Sequence, residues 1–163
     1  MDKEHYLKLN KCVNSNNNIK KLIKSVNTVI TGFTYIFFIA YAIYLIVYNF
    51  KLGLRLCLVC GIPFIFISII RKLYNAPRPY DLYDIIPVIE KDSHGKSFPS
   101  RHVFSIFIIG TSMLFILKPA GVILIFCGIV LAFLRVIGGV HFINDVITGA
   151  LLGILFAVLG FII

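Results

Sequence analysis

Apolar runs of membrane-spanning length set the strongest limit on what this 163-residue chain can fold into. Residues 29–48 and 142–163 are almost entirely apolar, and each run is close to the roughly 20 residues that a helix needs to cross about 30 Å of hydrocarbon. Hydrophobic residues make up 59% of the chain and the mean hydropathy is +0.93, which leaves too little polar surface for a soluble globule. The sequence therefore predicts an all-α, polytopic helical bundle in a membrane.

The apolar segments and the polar residues between them predict about five transmembrane helices. We expect these helices over residues 28–49, 52–70, 103–117, 120–134 and 142–163. Gly149 and Gly153 are four residues apart in the last one, a spacing that favours close helix packing. Residues 28–163 are predicted to form one membrane domain, in which the long polar stretch 71–99 is a loop.

Residues 1–27 differ from the rest of the chain because they are polar, basic and rich in asparagine. Tyr6, Leu7 and Leu9 are too few apolar side chains for a core, so we expect a surface segment. Two forms remain open for it, an interfacial helix over residues 19–26 and a solvated tail. The segment has no apolar core of the kind that a cleavable signal peptide needs.

The net charge of +9 raises the question of an anionic partner. No basic stripe interleaved with aromatic residues appears on a soluble fold, so we expect membrane lipids as partners and no nucleic acid. The four cysteines lack the paired spacing of a zinc site, and we expect neither a metal nor another cofactor. The sequence gives no oligomeric state.

Ionisable residues interrupt the apolar sequence between the fourth and fifth predicted spans. Arg135, His141 and Asp145 lie within eleven residues there, and charged groups at a membrane boundary are costly enough that function is their default explanation. On a regular helix His141 and Asp145 would lie one turn apart, so the carboxylate could orient the imidazole. This pattern predicts a histidine base or nucleophile.

Spans that alternate in direction bring further polar residues to the same side of the membrane. The end of span two, the start of span three and the junction of spans four and five share that side, with the residues Arg71, Arg78, Ser100, His102, Arg135, His141 and Asp145. Guanidinium groups and a helix N-terminus favour a phosphate-like anion. The lysine-rich N-terminal segment would share this side, and the positive-inside rule then predicts a cytoplasmic site. Several of these charges would serve the anion, however, so both membrane faces stay open.

The spacing of these residues resembles the three-part signature of the type 2 phosphatidic acid phosphatase family, which shares its site with bacterial acid phosphatases and vanadium haloperoxidases. Arg71, six residues and Arg78-Pro79 match the first motif, and Pro99-Ser100-Arg101-His102 matches the second. Leu134-Arg135, His141 and Asp145 match the third. The chain departs from the family pattern at Arg71, usually lysine, at Arg101, usually glycine, and at Leu134, usually serine. Lys72 could replace the missing lysine.

The resemblance implies a role for each matching residue. His141 would attack phosphorus and form a phosphohistidine, Asp145 would orient it, and His102 would protonate the leaving oxygen. Arg71, Arg78, Ser100, Arg101 and Arg135 would bind the phosphate, with no metal.

The implied activity is metal-independent hydrolysis of a lipid phosphomonoester or diphosphate in the cell membrane, by a multi-pass protein whose lysine- and asparagine-rich composition is typical of bacteria. Two alternatives stand beside hydrolysis, a phosphotransferase using the same site and a non-catalytic protein that binds lipid phosphates.

Overall fold

A computed structural model describes residues 3–83, 85–89 and 94–163, and this part of the chain forms seven α-helices without a strand. The helices are α1 Lys3–Asn14, α2 Asn17–Tyr48, α3 Phe50–Tyr74, α4 Pro79–Tyr83, α5 Arg101–Ile116, α6 Lys118–Ile137 and α7 Ile143–Ile162. Within the described residues, α2, α6, α7 and the segment Phe50–Tyr83 that contains α3 are long and apolar enough to cross a membrane. The predicted all-α membrane bundle is confirmed.

The remaining predicted span corresponds to α5, which is only 16 residues long. Eleven successive residues of α5, from Val103 to Met113, are buried, so the other helices surround it on every side. A helix enclosed by protein has no lipid-facing stripe, so α5 is buried on all its faces, whereas the longer helices around it expose apolar side chains. It is the central helix of the bundle and packs mainly against α6 and α7.

The helix boundaries differ from the predicted spans at the start of α2 and at the end of α3. The first turns of α2 contain residues 19–26, and α2 continues across the expected boundary between residues 27 and 28. Asn16 begins this helix, because its side chain accepts hydrogen bonds from the backbone N–H groups of Asn18 and Ile19. At the other end, α3 extends to Tyr74, and Asn75 terminates it with a φ of 43°. Residues 84 and 90–93 of the predicted loop lie outside the described residues.

The N-terminal segment contributes to the core, contrary to the expectation of a surface segment. Tyr6, Asn10 and Val13 are buried, and their spacing places them on one face of α1. Val13 packs in a cluster with Ile23 of α2 and with three residues from the site end of the bundle, Val88, Ile89 and Val140. Sequence reasoning undercounted this core because its partners come from distant parts of the chain.

Two glycines allow α5 and α7 to approach closely. A Cβ atom on Gly149 would lie 2.7 Å from the carbonyl oxygen of Ser100, and one on Gly153 would lie 2.8 Å from that of Phe104. Both distances are shorter than side chains tolerate, so glycine is required for this packing. The close approach places the start of α5 beside the start of α7, where the backbone N–H of Ser100 donates to the carbonyl oxygen of Asp145 at 2.9 Å.

We predict that Gly153→Ala destabilises the protein while Gly61→Ala does not. The new methyl group at residue 153 would press on the α5 backbone, which should cost about 1–3 kcal/mol. A Cβ on Gly61 meets no atom within 4 Å, so that variant controls for the change of residue type. Thermal unfolding in detergent should show a lower midpoint for Gly153→Ala alone, and equal midpoints would contradict the packing described here.

Candidate active site

His141 lies in the tight turn that joins α6 to α7. Gly139 adopts a φ of 82°, which lets the chain reverse, and the backbone N–H groups of Val140 and His141 both donate to the carbonyl oxygen of Arg135 at 3.2 Å. The His141 side chain is fully buried. The turn therefore brings His141 back beside the last turn of α6, which carries Arg135.

Asp145 contacts the imidazole of His141 from one helical turn away, and its role in orienting the ring stays a prediction. Its Oδ2 lies 3.3 Å from Nδ1 of His141 and accepts a 3.0 Å hydrogen bond from the backbone N–H of Phe142. The second bond fixes the carboxylate at the start of α7, where the helix dipole favours a negative charge. An Nδ1 atom that donates to Asp145 leaves Nε2 as the nucleophilic nitrogen, and Nε2 has no hydrogen-bond partner within the described residues.

Ser97 completes this network, and sequence reasoning missed it. Its buried hydroxyl donates to Oδ2 of Asp145 and lies 3.3 Å from Nδ1 of His141. The hydroxyl therefore links the polar loop to His141 and Asp145 of the third motif. A serine in a loop carries no periodic signal, so no feature of the sequence alone could have identified Ser97.

Three buried donors lie at the elements that surround His141. Nη1 of Arg78, Nε of Arg135 and Oγ of Ser100 are buried and have no hydrogen-bond partner among the described residues. Buried polar atoms are nearly always hydrogen-bonded, so a group of unpaired donors points to a ligand. An anion with several oxygen acceptors would satisfy all three donors, and a phosphate has that chemistry.

The position of Arg78 depends on Asp81, an acidic residue of the predicted loop. Oδ2 of Asp81 accepts from the backbone N–H groups of Arg78 at 2.9 Å and Gly95 at 3.0 Å, while Nε of Arg78 donates to the Gly95 carbonyl oxygen at 2.8 Å. Nδ1 of His94 lies 2.6 Å from the other carboxylate oxygen. These hydrogen bonds stabilise the ionised form of the Asp81 carboxyl group.

The guanidinium group of Arg71 contacts the backbone of the polar loop. Its Nη1 donates to the carbonyl oxygens of Ser97, at 3.0 Å, and Pro99, and its Nη2 donates to that of Lys96. These bonds hold the loop that carries Ser97 and Ser100. The Lys72 side chain is exposed, so it does not take the place of Arg71.

Arg101 and His102 are the first two residues of α5, and Leu134 lies near the end of α6. Arg101 is exposed, and its guanidinium carbon lies 5.4 Å from the centre of the Phe64 ring. His102 is half-buried and lines a small cavity with Thr31, Thr34, Tyr35 and Ser105 of the neighbouring α2 and α5. Its role as an acid stays a prediction. Leu134, which replaces the serine of the family pattern, packs against the apolar cluster around Val140.

Electrostatics favour the neutral form of the His141 imidazole and an anion beside it. Burial lowers the pKa of His141, the Asp145 carboxylate opposes this shift, and the positive charges of Arg78 and Arg135 add to it. The charges of Asp81 and Asp145 also act on Arg78. The three buried guanidinium groups of Arg71, Arg78 and Arg135 outnumber the two carboxylates that act on them, Asp81 and Asp145, and a bound phosphate would supply the missing counter-charge. No three His, Cys, Asp or Glu side chains cluster for a metal within the described ranges.

Comparison with known proteins places this site in a family. A sequence profile of the PAP2 superfamily matches residues 52–163, which contain His141, Asp145 and all the other predicted site residues. The chain belongs to the PAP2 superfamily. Membership supports a membrane hydrolase of the phosphatase class. No curated protein sequence gives a significant match.

Solved PAP2-type structures share the fold of the whole chain. The crystal structure of LpxE from Aquifex aeolicus matches with a TM-score of 0.75 at 23% identity, covering 96% of this chain and 94% of that one. The first transmembrane PAP2 type phosphatidylglycerolphosphate phosphatase from Bacillus subtilis matches with a TM-score of 0.66 at 21% identity, covering 96% and 90%. At these identities the likeness establishes the membrane PAP2 fold.

We predict that Arg71→Met destabilises the protein and that Lys72→Met does not. Removing the guanidinium leaves the carbonyl oxygens of the loop without their donors, and losing such charge-assisted bonds should cost about 2–3 kcal/mol. Lys72 is the matched control, because it is adjacent in sequence but exposed. Thermal unfolding in detergent measures both variants. An unchanged midpoint for Arg71→Met would show that Arg71 does not hold the loop.

Proposed function

We propose that this chain is a metal-independent phosphatase that hydrolyses a lipid phosphomonoester or diphosphate through a phosphohistidine on His141. The observation that carries the proposal is that buried donors on Arg78, Arg135 and Ser100, like Nε2 of His141, have no partner among the described residues. The charges of Arg78 and Arg135 also act on His141. A phosphate bound by those donors would lie next to the nitrogen that attacks it. Membership of the PAP2 superfamily supports the same reaction class.

The reaction would proceed in two displacements at phosphorus. Nε2 of neutral His141 attacks, the phosphorus–nitrogen bond forms, and the bond to the lipid oxygen breaks while His102 donates a proton to that oxygen. Water, deprotonated by the same His102, then attacks the phosphohistidine and releases inorganic phosphate. Asp145 keeps the proton of His141 on Nδ1 at the start and stabilises the positive charge that the ring acquires as it attacks.

The cationic groups would stabilise the charge on the equatorial phosphate oxygens. Arg78, Arg135, Ser100 and the backbone N–H of Arg101, in the first turn of α5, supply donors that are positioned before substrate binds. Arg71 adds a positive charge nearby while it holds the loop. In this arrangement the guanidinium groups do the work that a metal ion does in other phosphoryl transfer enzymes.

The surroundings of His102 support a lipidic leaving group. An apolar groove of about 310 Å³ lies between α2 and α3, and Tyr35 and Ser105 line both this groove and the small cavity at His102. A hydrocarbon chain in the groove would place its polar end towards the proposed acid. One of the similar structures is named as a phosphatidylglycerolphosphate phosphatase, which supports a lipid phosphate as substrate here.

We predict that the purified protein releases phosphate from at least one lipid among phosphatidylglycerophosphate, phosphatidate and undecaprenyl diphosphate, with EDTA present. His141→Ala should reduce release by at least about 1,000-fold, because no other group replaces the nucleophile. His141→Asn should be equally inactive although its amide can still donate towards Asp145. Unfolding midpoints near that of the wild type would show that both variants are folded.

The same assay separates hydrolysis from the alternatives. Turnover that survives in His141→Ala would contradict the nucleophile assignment. Lipid product without free phosphate, appearing only when an alcohol acceptor is added, would indicate a phosphotransferase. Binding of lipid phosphate without any turnover would indicate a binding protein, and loss of activity with EDTA would contradict metal independence.

We predict a further effect at Arg78. Arg78→Lys keeps the positive charge but loses the guanidinium geometry, so kcat/KM should fall by about 10- to 100-fold. Arg55→Lys is the matched control, because Nε of Arg55 donates to the carbonyl oxygen of Gly160 at the far end of α7. Steady-state kinetics on the best lipid substrate measures both changes. Equal losses in the two variants would argue against a phosphate contact at Arg78.

A further inference from the structure

The N-terminal helix α1 lies outside the region that matches the family profile, yet it packs against the turn that carries His141. Tyr6 is 3% exposed and is the most deeply buried of the α1 side chains described. Its ring lies against Tyr83, with centroids 5.9 Å apart, and against Phe142, at 6.2 Å. The helix therefore covers the residue that follows His141 in the chain.

The hydroxyl group of Tyr6 joins the two ends of that turn. It donates to the carbonyl oxygen of Val136 at 2.8 Å and lies 3.5 Å from the carbonyl oxygen of His141. Val136 belongs to the last turn of α6, and its carbonyl oxygen also accepts from the backbone N–H of Gly139 at 3.1 Å. Tyr6 thus connects the end of α6 directly to the backbone of the proposed nucleophile.

A second set of contacts attaches α1 to the same region. Nδ2 of Asn10 and Nδ2 of Asn14 both donate to the carbonyl oxygen of Ile86, at 3.3 and 3.0 Å. Asn10 also lies close to Gly139, because a Cβ atom built on that glycine would be 3.3 Å from Nδ2. Residues from three successive turns of α1 therefore contact the segment 85–89 and the turn before His141.

We expect the contacts from α1 to affect the conformation of the turn that carries His141. It contains Gly138 and Gly139, which restrict the backbone less than any other residue, so its conformation depends on external contacts. Burial, with smaller effects of the Asp145 and Tyr83 charges, raises the pKa of Tyr6, so its hydroxyl remains a donor throughout the neutral range.

We propose that Tyr6 is a positioning residue for His141, and that α1 acts as a brace that fixes the nucleophile turn. Because Tyr6 contacts the backbone of His141, we expect it to affect the position of His141 and not that of the arginines proposed to bind phosphate. Loss of the hydroxyl should disturb the angle at which Nε2 attacks, while the phosphate site stays formed. This inference rests on the proposed function, because it assigns His141 the attacking role.

The test compares Tyr6→Phe with two control variants. Tyr44→Phe removes a hydroxyl from the exposed face of α2, and Met113→Ala creates a cavity in α5 roughly 18 Å along the helix from Arg101. We expect Tyr6→Phe to lower kcat by about 5- to 20-fold with KM unchanged, since small misplacements of a reacting group cost this much or more. Tyr44→Phe should match the wild type, and Met113→Ala should lower the unfolding midpoint without that loss of kcat.

Amide hydrogen exchange of residues 136–142 supplies a readout that does not depend on activity. Exchange should become faster in Tyr6→Phe and remain unchanged in Met113→Ala. Unchanged exchange and unchanged kcat in Tyr6→Phe would overturn the proposal, as would a rise in KM equal to the fall in kcat. If the wild type hydrolyses none of the lipids, the proposed function fails, and the exchange data still decide whether Tyr6 braces the turn.

Discussion

The arrangement of the site depends on the hydrogen bonds that Asp145 makes. Its Oδ2 contacts Nδ1 of His141, the hydroxyl of Ser97 and the backbone N–H of Phe142, while its own carbonyl oxygen accepts from Ser100. Asp145 therefore connects the polar loop, the start of α5, the turn that carries His141 and the start of α7. The close packing of α5 and α7 at Gly149 makes this connection possible, since any side chain there would separate the two helices. Fold and chemistry are linked at this point.

Much of this arrangement was predictable because it follows from local sequence periods. Apolar runs gave the membrane helices, the four-residue spacing of His141 and Asp145 gave their contact, and Gly149 and Gly153 gave the close helix pair. Ser97 and Tyr6 were not predictable, because each acts through a contact with residues more than 40 positions away in the chain. A lone serine in a loop or a lone tyrosine in a polar segment has the same local appearance whether or not it makes such a contact.

Buried guanidinium groups explain why this site suits a phosphate. Arg78 and Arg135 are each 2% exposed, and the Asp145 carboxylate is the acidic group acting on both Arg78 and His141. Burying positive charges is costly unless an anion compensates them, so the protein alone leaves the balance incomplete. A doubly charged phosphate would restore that balance and would at the same time meet the unpaired donors. Burial also keeps His141 neutral, which is the state that the proposed mechanism requires.

The stereochemical course at phosphorus tests the account most directly. A lipid thiophosphate made chiral with oxygen isotopes can be hydrolysed in isotopically labelled water, and the configuration of the released thiophosphate can then be determined. Attack by His141 followed by attack of water comprises two inversions, so the account predicts net retention. Net inversion would show that water attacks the lipid phosphate directly, and it would contradict a phosphohistidine on His141 even if the protein proved to be an active phosphatase.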